Sequence, residues 1–158
     1  MKPINLKRLL IAIAIPEAVG GLSALLSGNM GQMYQNYNKP PLSPPGIVFP
    51  IVWVLLYALM GIASYLVYEE GTNKGNAKHK ALLFYAIQLS LNFLWSIVFF
   101  RFEAYTAAVV VIVLLDIFAI ITALMFKKLY KPAFYLMIPY ILWLLFATYL
   151  NIGVAVLN

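Results

Sequence analysis

The side chains with chemistry to offer sit where a chain can least ignore them. Trp53, Trp95 and Trp143, the amides Gln88 and Asn92, and the carboxylates Glu17 and Asp116 all lie inside long apolar runs. Gln88, Asn92, Trp95 and Phe99 step by four, three and four, which makes one stripe along a helix. An amide in hydrocarbon seeks a hydrogen-bond partner, so this stripe is predicted to turn away from lipid. Two roles fit it: glue between helices, or the wall of a pocket whose flat apolar sides and few polar groups suit a planar ligand. Trp53 and Tyr57 share a face at i,i+4, although Trp53 also fits an anchor at the membrane interface. Pro139, Trp143, Ala147 and Asn151 recur at spacing four with Tyr140 beside them, and a proline inside a membrane helix frees a carbonyl for another donor.

The acidic groups are fewer. A carboxylate at a lipid-facing position is very costly, so Asp116 is expected to accept a hydrogen bond from a tyrosine or an asparagine amide. Glu17 is expected to point inward or into a subunit contact. A proton relay finds little support, because Glu17 stands alone on its helix. No Ser/His/Asp set, phosphate-cradling glycine loop or metal-ligand spacing is present. The single histidine, His79, falls in a charged loop, and there is no cysteine. Haem iron would therefore lack its usual ligand inside the membrane, whereas a metal-free tetrapyrrole needs none. No covalent or metal cofactor is expected.

The elements that must position these groups follow from hydropathy. Of 158 residues, 64% are hydrophobic and 10% charged, against about a quarter charged in soluble domains. Five runs reach the roughly 20 residues that one crossing needs: about 9–28, 47–68, 81–100, 104–126 and 132–157. Their length excludes barrel strands. The expected fold is an all-α membrane protein, a five-transmembrane-helix bundle forming a single domain over 1–158. The first run follows "MKPINLKR" as a signal peptide would, but Pro16 and Glu17 interrupt it and no clean cleavage site ends it. It carries Pro16, Gly20, Ala24 and Gly28 at intervals of four, a small-residue face for a dimer contact or for internal packing. Segment 29–46 holds two proline pairs and is expected to be a folded lid of extended and turn segments rather than helix.

Five crossings put Lys2, Lys7, Arg8, Lys74, Lys78, Lys80, Lys127, Lys128 and Lys131 on one side, and only Lys39 and Arg101 on the other. The positive-inside rule then predicts a cytoplasmic N-terminus, with the C-terminus and lid outside. The same division into small groups argues against nucleic-acid binding, which needs a clustered basic face.

Several segments together resemble the TspO/MBR family of tryptophan-rich sensory and translocator proteins, once called peripheral benzodiazepine receptors. They are "KPPLSPPGIVFPIVWVLLYALMG" (39–61), "LNFLWSIVFF" (91–100), "LLDIFAI" around Asp116, and "PYILWLLFATYLN" (139–151). The resemblance implies a five-helix bundle, commonly a homodimer in the bilayer. It also implies binding of porphyrins such as protoporphyrin IX and of benzodiazepine-like and isoquinoline carboxamide ligands, in a pocket beneath the first loop. The family's pocket pattern falls on Trp53, Tyr57, Asn92, Trp95, Trp143 and Ala147, and its acidic position on Asp116. Lys39, near the wet mouth, is expected to pair with a propionate.

Light-dependent porphyrin breakdown is an alternative activity implied for bacterial relatives, with Trp53, Trp95 and Trp143 as its candidate participants. Porphyrin transport is another alternative, though five helices lack the paired repeats common in secondary transporters. The chain departs from the family pattern at Met33, where tryptophan is frequent, at Tyr37, which replaces leucine, and at Leu42. The animal cholesterol motif is absent, since no basic residue follows Tyr149, and "LVYEEGTNK" (66–74) fits only its loose form. Cholesterol is not an expected ligand in a bacterial cell membrane. The expectation is a membrane receptor or sensor for tetrapyrroles.

Overall fold

The computed structural model describes residues 2–71 and 76–158; the expected topological charge Lys74 and the end of segment 66–74 lie outside the described residues. Among the described residues six α-helices follow one another: α1 Leu6–Ser27, α2 Met30–Asn36, α3 Val48–Glu70, α4 Ala77–Ser96, α5 Tyr105–Leu129 and α6 Lys131–Leu157. A π-helical turn, Ile97–Arg101, prolongs α4. Among the described residues, α1, α3, α4 with its π turn, α5 and α6 are long and apolar enough to span a bilayer. The chain is a multi-pass membrane protein with an all-α, five-span fold.

Local chemistry explains where the helices begin. The Asn5 side chain accepts from the Arg8 amide at 3.1 Å and caps α1, while the Asn5 amide donates to the Tyr65 hydroxyl at 2.9 Å. Pro132 sits in the first turn of α6, where its missing N–H leaves no bond unmade. Charged residues such as Lys7, Arg8 and Lys78 extend helices past their apolar runs, because hydropathy marks the lipid and not the helix end.

Around the bundle the helices neighbour one another in the order α1, α3, α6, α5, α4 and back to α1. Small residues set the closest approach. A Cβ at Gly61 of α3 would lie 2.6 Å from the Ala12 carbonyl oxygen of α1, and one at Gly20 would overlap the Tyr57 ring. The Gly20 face of α1 is therefore used in packing within the chain.

The interior is unequal along the membrane normal. The C-terminal halves of α3 and α5 and the N-terminal halves of α4 and α6 bury Met60, Val67, Tyr85, Phe126, Met137 and Tyr140. That end is densely filled. The opposite end, toward segment 29–46, is hollow.

The lid differs from expectation at its start. Residues 30–36 form two turns of helix, capped by the Asn29 carboxamide oxygen accepting from the Gln32 amide at 3.2 Å. Proline excludes helix only where it stands, and all four lid prolines come later, at 40, 41, 44 and 45. The remainder runs through turns, with Leu42 at φ 70°. The lid is tied to α6. Tyr149 donates to the Pro41 carbonyl at 2.6 Å, and Asn38 and Asn158 exchange two bonds at 3.0 and 2.8 Å. A Cβ at Gly153 would overlap Pro40, so glycine lets the lid backbone lie on the helix.

Candidate ligand-binding cavity

Beneath the lid is a cavity of about 1000 Å³, walled by α1, α3, α4, α6 and the lid itself. Its walls come from helix faces that the lipid rejects. Along α3, Phe49, Trp53 and Tyr57 succeed one another at i,i+4, and the Trp53 and Tyr57 rings stack at 5.4 Å. Along α4, the amide-and-aromatic stripe turns inward: Gln88 is fully buried, and Asn92, Trp95 and Phe99 are buried with it. Tyr34 and Tyr37 of the lid close the top. Tyr37 meets Phe99 edge to face at 5.8 Å and Tyr105 at 5.9 Å.

The floor is a directional hydrogen-bond ladder. Tyr57 donates to the Asn92 carboxamide oxygen at 2.9 Å, and the Asn92 amide donates to the Tyr140 hydroxyl at 3.0 Å. Tyr140 donates to Gln88 Oε1 at 2.5 Å, and Gln88 Nε2 reaches the Met60 sulfur at 3.6 Å. Four polar side chains on three helices thus satisfy one another where no water is supplied by the lipid. A second bridge joins α4 to α6. Trp95 Nε1 donates to Asn151 Oδ1 at 2.9 Å, and Asn151 Nδ2 donates to the Tyr105 carbonyl at 3.0 Å. Glue and pocket wall, alternatives in the sequence, coincide at Asn92 and Trp95, whereas Gln88 is glue alone and does not line the cavity.

A model of the TspO/MBR family matches residues 12–157, nearly the whole described bundle. The chain belongs to the TspO/MBR family. It is similar to the tryptophan-rich protein TspO of Chlorobaculum tepidum, 42% identical over 125 residues, covering 79% of this chain and 78% of that one. It is 36% identical to the TspO of Archaeoglobus fulgidus over 155 residues, 98% and 99% of the two chains. It is 37% identical to the tryptophan-rich sensory protein of Cereibacter sphaeroides over 150 residues, 94% and 88% of the two chains.

In this TspO/MBR member, Trp53, Tyr57, Asn92, Trp95, Ala147 and Lys39 line the cavity. Trp143 and Asp116 do not. Trp143 stands behind Trp53, perpendicular to it at 6.4 Å, and packs against Phe49 and Phe146. Asp116 is buried between α5 and α6, where Thr148 donates to its Oδ2 at 2.6 Å. The partner is a threonine and not the expected tyrosine or amide, because α5 packs chiefly on α6 and α4, and the α6 residue it meets at this level is Thr148.

Lys39 is committed within the lid. Its ammonium donates to the Tyr34 carbonyl at 2.8 Å and the Tyr37 carbonyl at 3.4 Å, and lies 4.9 Å from the Tyr34 ring centroid. It satisfies carbonyls at the C-terminus of α2. Tyr34 donates to the Pro44 carbonyl, and burial pushes its phenol above the ordinary value, so it stays a donor. Glu17 points inward and lines the cavity, one of the two placements expected of it, and Phe49, Tyr34 and Leu150, which the spacing arguments passed over, line it too. Phe49 was legible as the residue one turn ahead of Trp53 on the same face.

Proposed function

We propose that this protein is a membrane receptor or sensor that binds porphyrin-like tetrapyrroles, and flat aromatic ligands of the benzodiazepine or isoquinoline carboxamide kind, in the cavity under the lid. The observation that carries this reading is the cavity itself: about 1000 Å³ at membrane depth, with Trp53, Tyr57, Trp95 and Phe99 on its walls. That volume is at the upper end of small-molecule sites, roughly 300–1,000 Å³. Among the described residues its one acidic lining residue is Glu17 and its one basic one is Lys39, so ring burial and stacking supply the affinity. A relative's name, tryptophan-rich sensory protein, supports a sensing role. The distribution of lysine and arginine supports a cytoplasmic N-terminus with the lid on the opposite side of the membrane.

A second reading, light-dependent chemistry on the bound porphyrin, draws on one observation: the indoles of Trp53 and Trp95 both face the ligand space, where each is an oxidisable neighbour of an excited ring. Fluorescence of protoporphyrin IX titrated into detergent-solubilised protein tests binding. Trp53→Phe and Trp95→Phe are expected to change the quenching, and Trp143→Phe to change it less. Identical titrations for all variants would refute the assignment. A single defined product formed in excess of protein under light would favour the second reading.

A further inference from the structure

A second concavity, of about 440 Å³, lies at the opposite end of the bundle from the cavity and opens to its outer surface. Its origin is a divergence of two helices. Near the lid α1 and α4 touch: Ser23 donates to the Phe93 carbonyl at 2.9 Å, and Ser27 bonds Ser96 at 2.8 Å. Toward the N-terminus of α1 they part, and α3 floors the gap with Ser64, Tyr65 and Tyr68. The walls are Ile11 and Ile15 of α1 and Leu82, Ala86 and Leu89 of α4. All of these lie in membrane-spanning helices, so the groove faces the bilayer.

Its end is cationic. Arg8 stands in the groove wall and donates to Glu69 Oε1 at 3.0 Å, with Arg8 55% exposed and Glu69 11%. The acid is tucked beneath and the guanidinium, with donors to spare, faces outward. The Tyr68 ring lies between Arg8 at 5.9 Å and Lys78 at 5.7 Å. Lys7 and Lys80 flank these in sequence. On the wall stands Tyr85, 6% exposed, its ring stacked on Phe126 of α5 at 6.0 Å. An apolar trough that ends in arginine has the complement of an acyl chain and a phosphate.

We propose that this groove binds an anionic glycerophospholipid of the N-terminal-side leaflet, with one acyl chain between α1 and α4 and its phosphate on Arg8. The site is separate from the cavity and does not depend on what the cavity binds.

The test uses delipidated full-length protein in neutral detergent. Phosphatidylglycerol or phosphatidylcholine of identical chains is titrated in, and the rise in thermal unfolding midpoint is followed to half-saturation. Phosphatidylglycerol is expected to half-saturate at about fivefold lower concentration, the effect of one basic residue near an anionic headgroup. Glu69→Gln, which breaks the same ion pair but keeps the arginine, retains the preference. Arg8→Gln with Glu69→Gln abolishes it. Ala86→Trp, which fills the trough, weakens both lipids while leaving protoporphyrin quenching unchanged. Equal half-saturation in the parent, a preference that survives loss of Arg8, or an equal midpoint rise with inorganic phosphate alone would each overturn the proposal.

Discussion

The Tyr57 hydroxyl donates to the Asn92 carboxamide oxygen at 2.9 Å, and this one bond joins the two helices that supply most of the cavity's aromatic wall. One turn further along α3 is Met60 and one turn back along α4 is Gln88, both fully buried. The pair therefore marks the level at which the bundle changes from filled to hollow. Asn92 is the hub, since it accepts from Tyr57 and donates to Tyr140.

Replacing Asn92 with leucine removes two bonds and strands the Tyr57 hydroxyl, while Tyr140 keeps its bond to Gln88, whereas Tyr57→Phe removes one bond and strands one amide oxygen. Hydrogen bonds within membrane bundles contribute on average about 0.6 kcal/mol, and an orphaned buried group costs about 1–3 kcal/mol. Asn92→Leu is expected to destabilise more than Tyr57→Phe. The double variant should fall short of the sum, because both remove the same bond. Reversible unfolding in mixed micelles measures all three.

The contact of α1 with α3 separates two adjacent glycines. A Cβ at Gly20 would overlap the Tyr57 ring, and one at Gly21 meets nothing within 4 Å. Gly20→Ala is expected to destabilise by about 1–3 kcal/mol through overpacking. Gly21→Ala should lie within about 0.5 kcal/mol of the parent. Thermal unfolding of the two variants side by side gives the comparison.

These contrasts show how far the sequence speaks. Trp53 with Tyr57, and Asn92 with Trp95, were legible because short steps of three or four stay on one helical face and lipid penalises the alternative. The row Pro139, Trp143, Ala147 and Asn151 was legible only in part. Each step of four overshoots a 3.6-residue turn by about 40°, so the row drifts around the helix. Ala147 and Asn151 reach the cavity while Trp143 faces the back of Trp53. Asp116 was placed away from lipid but not beside Thr148, because pairwise helix order is not written in hydropathy. The short helix α2 was hidden by the weight given to prolines that follow it.

The lid is held by side chains at the far end of α6, so its opening should respond to them. Asn158→Ala removes both bonds between Asn158 and the Asn38 backbone, and Tyr149→Phe removes the bond to Pro41. Local opening of residues 37–45 is expected to become about fivefold more frequent for a bond contributing about 1 kcal/mol. Hydrogen exchange of the lid amides reads this directly, and ligand release should accelerate in step. Exchange in α5 should not change.

The central claim is that the hollow beneath the lid is the place where the ligand sits. The affinity for protoporphyrin IX of Ala147→Trp, set beside that of Leu145→Trp, tests it most directly. Ala147 is 5% exposed and lines the cavity, whereas Leu145, two residues earlier, is 47% exposed on the outer surface. An indole at 147 occupies the ligand's space and is expected to weaken binding by at least about tenfold, roughly 1.4 kcal/mol, with the outer variant matching the parent. Equal affinity in the two variants, both properly folded, would contradict the account.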